Sequence, residues 1–597
     1  MCIRDSFIRI QYKGAAKNPF AIGASTTLYF GDNIVNQELI PSRGFQSSMD
    51  YTMTIGLGNF KKLDSIRVIW PNNKTTQLID VVANQTLLLK QEDATETYNA
   101  SNKKIKKTFF KETPNNSLIA HKENNHVDFD YEGLIYKKLS QEGPSLAIAD
   151  VNSDGHEDVF IGGAQGQEGQ LYLHKGNGNF SSKKQSVFLN HSDFEDTAAA
   201  FFDADNDGDQ DLMVGSGGND VGKQTTYRTR LYLNDGKGNF SKHQNILPST
   251  FKNIATISPL DFDRDGDIDV FIGSRSVVGV YGVNPNHLFL ENQGDGTFIN
   301  ATERLAYDTK DAGMITASIW VDIDGDSKKD LVTVSEWDTP KVFKNSGRRL
   351  SQMNTSLDSL HGWWNAIEVA DLDNDGDQDL ILGNQGTNLH YQPKENQPMR
   401  MWVNDFDNNG AIEQIVTRNY DGGDYPIHQK KELTGQLVSL KKQNLKASDY
   451  AKRTIKELFS EEIINSSIVK KASISESILA INEGGGNFTI KKLPQRVQFS
   501  CVCGISCADV NKDGNIDLIM AGNNYEFKPQ FSRLDASYGN VLLGNGKLDF
   551  EWQNYDDSGF FIKGEVKHLK QFKDKNGKQF IIATVNDDEP KIFALDE

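Results

Sequence analysis

Five aspartates fall within nine positions of the stretch FFDADNDGDQDLMVGSGGND, residues 201–220, directly before an apolar run. Carboxylates this close repel one another, and the low-dielectric surroundings of a buried strand strengthen the repulsion. A positive charge among them would remove the conflict. The stretch therefore predicts a metal ion held in a turn that leads into a buried strand.

The spacing of these aspartates fits calcium. Ca²⁺ takes six to eight oxygen ligands, and a tight turn can aim side chains from positions one, three, five and nine at one point. A glycine at position six permits the sharp turn. In this stretch the residues are Asp203, Asp205, Asp207 and Asp211, with Gly208 at the turn. Asp209, at position seven, is expected to offer only its backbone carbonyl.

The pattern recurs six more times, which predicts up to seven bound Ca²⁺ ions. Two copies carry four aspartates: Asp261, Asp263, Asp265 and Asp269, then Asp371, Asp373, Asp375 and Asp379. Two replace one carboxylate with asparagine: Asp150, Asn152, Asp154 and Asp158, then Asp509, Asn511, Asp513 and Asp517. Two depart further. The loop of Asp322, Asp324, Asp326 and Asp330 has an early Gly325 and Ser327 at the turn. The loop of Asp405, Asp407, Asn409 and Glu413 has a longer acid at position nine.

An EF-hand is the competing interpretation, and position twelve excludes it. That motif places a bidentate glutamate there, between two helices. Here position twelve is apolar, and a strand pattern follows: Ile161, Val214, Ile272 and Leu382. Solvated turns are the other alternative, because Asp and Gly are common turn formers. Repetition in one register favours calcium.

The overall charge agrees with this interpretation. The formal net charge is -18, and seven divalent ions would add +14. The acidity argues against nucleic acid or an anionic membrane as a partner. No apolar run approaches the length of a transmembrane segment.

The spacing of the aspartate loops predicts an all-β fold, a β-propeller. The loops start at residues 150, 203, 261, 322, 371, 405 and 509, so successive starts lie 53, 58, 61, 49, 34 and 104 residues apart. A four-stranded propeller blade needs about 40 to 50 residues. Seven blades are favoured, and eight remain open, because the Asp371 and Asp405 loops could share one blade.

Three irregular segments complete the propeller. Residues 431–464 have few glycines and an apolar period near 3.6, which predicts a helical insertion. A degenerate repeat near the C-terminal end of the chain has Phe572 in place of the first aspartate, so we expect this blade to bind no ion. The segment VDFDYEGLIYKKL, residues 127–139, is expected to supply the strand that closes the ring.

The remaining chain divides in three. Residues 1–6 fit no element, which suggests a fragment whose true start and signal peptide are missing. Residues 7–91 contain short β-type runs separated by Gly, Asn and Pro, which predicts a small β-sandwich-like domain. Residues 92–125 are polar and are interpreted as a linker, which leaves residues 126–597 for the propeller.

These motifs carry a family resemblance. The repeats, most clearly DADNDGDQDLMVG and DFDRDGDIDVFIG, resemble the FG-GAP/VCBS repeats of integrin α-subunit propellers. Residues 7–90, with IGASTTLYF, SRGFQSS and IGLGNFKKLDSIRVIWP, resemble the ASPIC/UnbV domain. Together they are similar to the cartilage acidic protein family. That resemblance implies a secreted, periplasmic or cell-surface protein with an adhesive or ligand-binding role.

The resemblance also implies a ligand site on the propeller face opposite the aspartate loops, where the connections from second to third strands lie. We expect exposed aromatic and polar residues there to bind a glycan or protein ligand: Tyr281, Trp337, Trp363, Trp364, Tyr525, Arg533, Asp535 and Tyr538. The alternative is that these aromatics wedge adjacent blades together.

No catalytic motif for a nucleophile elbow, zinc protease, P-loop or dinucleotide site is present, so the protein is expected not to be an enzyme. The alternative function is a propeller enzyme, such as a polysaccharide lyase, with its site at the channel mouth. Cys501 and Cys503 are expected on a strand that lines the central channel. Buried free thiols are the favoured state in the segment CVCGISC, which also contains Cys507, and a disulfide or soft-metal site is left open. The sequence leaves the oligomeric state open.

Overall fold

The computed structural model describes residues 5–31, 33–98, 107–114, 117–242, 247–248 and 252–596. The chain forms two compact units, residues 1–106 and 107–597. Residues 1–4, and with them most of the anomalous start, lie outside the described residues. No helix among the described residues combines the length and apolar character that a bilayer crossing requires.

The first unit consists of two sheets. Its strands are β1 (Ser6–Lys13), β2 (Ser25–Phe30), β3 (Asn33–Glu38), β4 (Met53–Gly58), β5 (Lys62–Ile69), β6 (Lys74–Val82), β7 (Gln85–Lys90) and β8 (Glu96–Thr97). One sheet has the order β4-β1-β7 and the other β3-β2-β5-β6-β8. Alternate residues such as Ile8 and Ile10 from β1 and Ile66 and Val68 from β5 share one buried core, as in a sandwich.

The second unit begins with β9 (Phe110–Thr113) and continues with antiparallel four-stranded sheets. The first two are β10 (Leu146–Ala149), β11 (Asp158–Ile161), β12 (Gln170–His174) and β13 (Phe180–Ser182), then β14 (Asp196–Phe202), β15 (Asp211–Ser216), β16 (Arg230–Leu233) and β17 (Ser241–Lys242). The next two are β18 (Asn253–Leu260), β19 (Asp269–Ser276), β20 (Leu288–Asn292) and β21 (Phe298–Asn300), then β22 (Met314–Val321), β23 (Asp330–Asp338), β24 (Lys341–Asn345) and β25 (Leu350–Met353), with β26 (Gly362–Trp363) beside β23. Short helices α1 (Ser186–Leu189) and α2 (Thr302–Leu305) follow outer strands.

The fifth sheet is interrupted by an insertion. It begins with β27 (Ala366–Ala370) and β28 (Asp379–Gly383), and it resumes only after a second sheet of β29 (Met399–Asn404), β30 (Glu413–Tyr420), β31 (Gly423–Pro426) and β32 (Ile468–Ala472). The insertion also contains α3 (Lys430–Gln436), α4 (Leu440–Gln443), α5 (Ala447–Tyr450), α6 (Ile455–Leu458) and α7 (Glu461–Ser466), which confirms the predicted helical insertion. The fifth sheet ends with β33 (Ile478–Asn482) and β34 (Phe488–Lys492).

Two further sheets complete the series. The sixth is β35 (Gly504–Ala508), β36 (Asp517–Ala521), β37 (Asn540–Gly544) and β38 (Phe550–Gln553), followed by α8 (Tyr555–Ser558). The seventh is β39 (Glu565–Lys573), β40 (Gln579–Asn586) and β41 (Lys591–Leu595), with β9 as its fourth strand. Within the described residues, therefore, seven sheets follow one another, each with four strands except the fourth, where β26 is a fifth, and the inserted sheet is an eighth.

The seven sheets form a closed ring, as expected of a β-propeller. The first strand of each sheet contacts the first strand of the next, and β10 of the first contacts β39 of the last. Buried apolar clusters fill the space between neighbouring sheets. All seven first strands line a central cavity of about 300 Å³. We refer to these sheets as blades one to seven.

The ring closes through a different segment from the predicted one. Strand β9 pairs with β41, with Phe110 opposite Leu595 and Thr113 opposite Ile592. The prediction that residues 127–139 close the ring is therefore wrong, and so is the interpretation of all of 92–125 as a linker. Residues 99–106 and 115–116 of that segment lie outside the described residues.

Residues 127–139 instead pack across the end of the channel opposite the aspartate loops. Glu132 accepts hydrogen bonds from Tyr281 N at 2.8 Å and from Gln414 Nε2 at 3.0 Å. Lys137 forms an ion pair with the buried Glu336. Burial alone would raise the pKa of Glu336, but the charges of Lys137 and Arg275 outweigh it and lower the pKa to about 2. We call residues 127–139 the channel plug.

Replacing Phe110 tests the closure. Phe110 is 1% exposed and packs on Phe560, with ring centroids 5.4 Å apart. We expect Phe110→Ala to lower the free energy of unfolding of the second unit by about 3–5 kcal/mol, because it empties a site at the closing strand. Chemical denaturation measures the change. The exposed neighbour Lys111→Ala is the control, with an expected change within about 0.5 kcal/mol. Equal stability of both variants would contradict closure by β9.

Candidate metal sites

Each aspartate loop joins the first and second strands of a sheet. Six loops belong to blades one to six, and their strand ends place them on one face of the ring. The seventh, which starts at Asp405, joins β29 and β30 of the inserted sheet. The Asp405 loop therefore lies outside the ring rather than in a blade of its own. Blade seven has the loop around Asp574 at this place.

The loop backbone is fixed by the carboxylate at position one. Its oxygen accepts the N–H of position six, as in Gly208 to Asp203 at 3.0 Å and Gly514 to Asp509 at 2.8 Å. Positions four and six both adopt positive φ, for example 60° at Asn206 and 91° at Gly208. A Cβ at Gly208 would meet nothing within 4 Å, so glycine is favoured there by its conformation.

The loop starting at Asp322 keeps this backbone conformation, but its glycine is at position four instead of position six. Gly325 at position four has φ 75° and Ser327 at position six has φ 68°. Ser327 N still donates to Asp322 Oδ2 at 2.8 Å. The early glycine therefore leaves the turn intact, and the strained position moves to Ser327.

The acid at position nine connects the loop to the rest of its blade. In blade two, Asp211 accepts from Ala204 N of its own loop at 2.9 Å and from Asn234 N after the third strand at 2.8 Å. Asp379 accepts in the same way from Leu372 N at 3.0 Å and Asn482 N at 2.8 Å. Burial raises the pKa of Asp211 to about 7, although these hydrogen bonds oppose the shift.

In five loops the structure brings three acid oxygens within 4.8 Å of one another. The groups are Asp203, Asp205 and Asp211; Asp261, Asp263 and Asp265; Asp322, Asp324 and Asp330; Asp371, Asp373 and Asp375; and Asp405, Asp407 and Glu413. These loops could each hold a metal ion. The loops with asparagine, at Asp150 and Asp509, form no such all-acid group among the described residues.

Four of these five loops contain buried carboxylate oxygens that have no hydrogen-bond partner. They are Oδ1 of Asp203, Asp205, Asp209, Asp261, Asp371, Asp373, Asp377 and Asp407, and Oε1 of Glu413. A buried, unpaired carboxylate oxygen is costly, and a cation is the partner that removes the cost. The residues of these four loops therefore fit a bound cation.

Two of these oxygens belong to position seven, where only a backbone ligand was expected. Burial raises the pKa of Asp209 to about 6, and the neighbouring Asp207 adds to the shift. The pKa of Asp377 is also raised to about 6 by burial, with a contribution from Asp375. An acid at position seven is the matching signal in the sequence, but it is not sufficient, because Asp267 at that place in the Asp261 loop accepts from Asn206 Nδ2.

The fifth loop has a cation of its own. Lys344 from β24 places its Nζ against Asp324 and 3.5 Å from Asp326 Oδ2. Lys328 Nζ lies 3.2 Å from Asp326 Oδ2. Lys344 directly precedes Asn345, whose N–H binds the position-nine acid. The matching residue is Leu173, Leu233, Ile481 or Leu543 in blades one, two, five and six, and Glu291 in blade three. The Asp322 loop is thus neutralised within the chain and does not fit a metal ion in the same way.

The structure contradicts the expected exposure of four ligand residues. Tyr281 and Trp337 are 1% exposed, Trp363 is 6% exposed and Trp364 is 0% exposed. Trp364 packs between blades four and five, and the other three pack with the channel plug and the inserted sheet. Sequence reasoning missed this because the covering segments are distant in the chain.

The other four ligand residues are accessible in the connection between β36 and β37. The Arg533 guanidinium lies 4.7 Å from the centroid of the Tyr525 ring and pairs with Asp535 at 2.9 Å. Tyr538 is 38% exposed and stacks on Phe561. They form an exposed patch rather than an enclosed site.

The free thiols of Cys501 and Cys503 lie elsewhere, with Sγ atoms 3.5 Å apart, and Cys503 lines the central cavity.

Comparison with known proteins identifies both parts of the chain. Residues 14–96 match the family model described as ASPIC and UnbV. Residues 150–214, 215–272 and 322–382 match the model of the FG-GAP-like repeat. A search of curated proteins gave no match.

Solved structures gave distant likenesses. One is BBS1N in complex with ARL6DN, at 10% identity and TM-score 0.37, covering 77% of this chain and 94% of that chain. Another is YCF48 bound to D1 peptide, at 8% identity and TM-score 0.35, covering 80% and 100%. A third is Saccharomyces cerevisiae Sqt1, at 10% identity and TM-score 0.35, covering 78% and 100%. Superpositions this loose carry no argument about function. Residues 14–96 thus match the ASPIC and UnbV model, and the β-propeller of the second unit contains three segments that match the FG-GAP-like repeat.

Proposed function

We propose that the protein is a non-catalytic, calcium-stabilised binding or adhesion protein that acts outside the cytoplasm. It recognises a glycan or protein ligand through the propeller face opposite the aspartate loops. The observation that supports the calcium part most is the convergence of buried, unpartnered carboxylate oxygens in four loops. FG-GAP-like repeats, which are common in extracellular adhesion proteins, support the role.

Calcium is the ion that suits these loops. Two oxygens bound to one Ca²⁺ at about 2.4 Å lie at most about 4.8 Å apart. The acid oxygens of each loop meet that limit. All the side-chain donors are hard oxygens, with no histidine or thiol in the groups, which disfavours zinc and copper. Extracellular modules bind Ca²⁺ at the millimolar level found outside cells.

Bound calcium would stabilise the blades through the position-nine acids. In blades two and five this acid accepts from its own loop on one side and from the end of the third strand on the other. A cation in the loop would compensate their burial and hold the first two strands to the outer part of the blade. The ligand face is then kept rigid from the opposite side of the ring.

Chelation tests the metal. We expect EGTA to lower the melting temperature of the second unit by at least about 5 °C, because each ion at a hundredfold excess over its Kd stabilises by about 2.7 kcal/mol. Differential scanning calorimetry with and without Ca²⁺ measures the shift. Adding Ca²⁺ back should restore the melt, whereas Mg²⁺ should not, since it demands shorter bonds and octahedral geometry. An unchanged melting temperature in the presence of EGTA would refute calcium stabilisation.

Lys344 tests which loops hold ions. We expect Lys344→Leu to increase the number of bound Ca²⁺ by one, because it frees Asp324, which forms the candidate ligand group with Asp322 and Asp330, while Asp326 stays paired with Lys328. Isothermal titration calorimetry and elemental analysis of the dialysed protein give the stoichiometry. The converse variant is Leu233→Lys at the matching place in blade two, which should remove one ion.

A matched control keeps the charge. Lys344→Arg should bind as many ions as the unaltered chain, because the guanidinium also neutralises the loop. If Asp324→Asn lowered the stoichiometry of the unaltered chain, the Asp322 loop would hold calcium despite Lys344, and the assignment to lysine would be wrong.

The binding role is tested by a glycan array run beside an activity screen on the same polysaccharides. We expect binding without turnover. Tyr525→Ala and Arg533→Ala should weaken binding at least about tenfold, since they remove stacking and charge from the ligand face. Lys547→Ala, on an exposed hairpin of the same blade at the other face, is the control. Turnover of a bound polysaccharide would favour the alternative, a lyase-like enzyme with its site at the channel mouth.

A further inference from the structure

The insertion in blade five forms a groove beside its own sheet. Residues from β30, β31, α3 and α5 surround a volume of about 1030 Å³. This lies at the upper end of the range for ligand pockets in proteins, about 300–1000 Å³. The groove is therefore large enough for an extended ligand rather than a single small anion. We call it the insertion groove.

The insertion groove is basic in an acidic protein. Five cationic residues line it: Arg418, Lys430, Lys431, Lys441 and Lys452. Among the described residues that line it, none is an aspartate or a glutamate. The whole chain has 82 acidic and 64 basic residues. This local excess of positive charge contrasts with the field of the molecule and would attract an anion.

Most of these cations have no acidic partner. Lys431, Lys441 and Lys452 are exposed, and none forms an ion pair with an acid in the described part of the chain. Asp449, the acid nearest to Lys452 in sequence, forms no ion pair among the described residues and does not line the groove. Two other nearby acids are engaged elsewhere. Glu432 pairs with Lys528 at 2.5 Å, and Asp424 pairs with Arg400 at 2.5 Å.

Tyrosine rings lie among the cations. Tyr420 is 63% exposed, Tyr425 is half-buried, and the hydroxyl of Tyr450 donates to His428 O at 2.9 Å. The Arg418 guanidinium lies 5.5 Å from the centroid of the Tyr391 ring. Flat aromatic surfaces beside unpaired cations suit a ligand with both apolar ring faces and negative groups.

The groove belongs to the proposed ligand face. The insertion leaves blade five between its second and third strands, on the side opposite the aspartate loops. Tyr391 lines the groove and also a smaller aromatic pocket that contains Phe531 and Leu534. Those two residues belong to the same connection as Tyr525 and Arg533. One continuous surface thus runs from the groove to the exposed patch.

We propose that the insertion groove binds an acidic oligosaccharide, a chain of sugars with carboxylate or sulfate groups. This rests on the proposed ligand-binding function and names its ligand class. The tyrosines stack on the sugar rings, while the lysines and Arg418 pair with the acidic groups. Nucleic acid is the disfavoured alternative, because its dense charge is opposed most strongly by the net charge of -18.

The test measures binding of a galacturonate hexamer to the full chain at a fixed, saturating Ca²⁺ concentration. The first variant is Lys431→Ala, Lys441→Ala and Lys452→Ala together. We expect it to bind at least about tenfold more weakly, with a smaller dependence on salt. Tyr420→Ala should weaken binding several-fold without changing the salt dependence.

The control removes the same charge from the same insertion outside the groove. Lys442→Ala, Lys446→Ala and Lys456→Ala together are exposed substitutions that do not line it. We expect binding within about twofold of the unaltered chain, because these lysines lie outside the groove, where salt screens their charge from the ligand. The carboxyl-reduced hexamer, which keeps the sugar rings and loses the charge, should bind at least about tenfold more weakly.

Three results would overturn the inference. Equal loss in both triple variants would mean a general charge effect. Equal binding of a single-stranded oligonucleotide of the same charge through the same lysines would mean a polyanion site without preference for sugar. Absence of hexamer binding, while the array still captures a neutral glycan or a protein, would reject the groove and leave the proposed function standing.

Discussion

The propeller depends on how carboxylates are neutralised at the edge of its core. The position-nine acids of blades one to six are buried and bind backbone N–H groups on two sides, so a nearby positive charge would lower the cost of burying their own charge. The chain meets this demand in different ways. Four loops present unpartnered oxygens to a cation, whereas blade four supplies the ammonium of Lys344. In blade seven, Phe572 stands in place of the position-one aspartate, and it is fully buried against Phe180 and Phe580.

Closure of the ring is a second constraint, and a very short strand meets it. β9 has four residues, of which Phe110 is buried, yet it joins the first described residues of the unit to its last strand. The channel plug adds a different kind of tie. It contacts blades three, four and six and the inserted sheet through buried polar groups and ion pairs. The end of the channel opposite the loops is therefore filled by the chain itself.

The sequence predicted the loops well because their geometry is local. The carboxylate of position one binds the N–H of position six, and the residues with positive φ lie at positions four and six. All these interactions fall within six residues, so the spacing in the sequence identifies the loops. Long-range packing was not visible in the same way. The apolar residues of 127–139 resembled a strand more than Phe110–Thr113 did, although the shorter segment pairs with β41. Trp363 and Trp364 looked exposed because the inserted sheet and the neighbouring blade that cover them are remote in sequence. Lys344 lies 20 residues after Asp324, and only comparison with Leu173, Leu233 and Leu543 at the matching places reveals it.

The insertion shows why blade five can carry a large addition without opening the ring. β28 pairs directly with β33, from Leu380 opposite Ala480 to Leu382 opposite Ile478, as though the residues between them were absent. The inserted sheet has its own core, in which Leu433, Leu437 and Ile455 from its helical part pack on Ile415 and Trp402. It also has its own acidic loop, where Glu413 binds Phe406 N at 3.1 Å despite its longer side chain. Because the strand pairing of blade five does not depend on the insertion, the surface between β30 and α5 can carry a charge opposite to that of the rest of the chain.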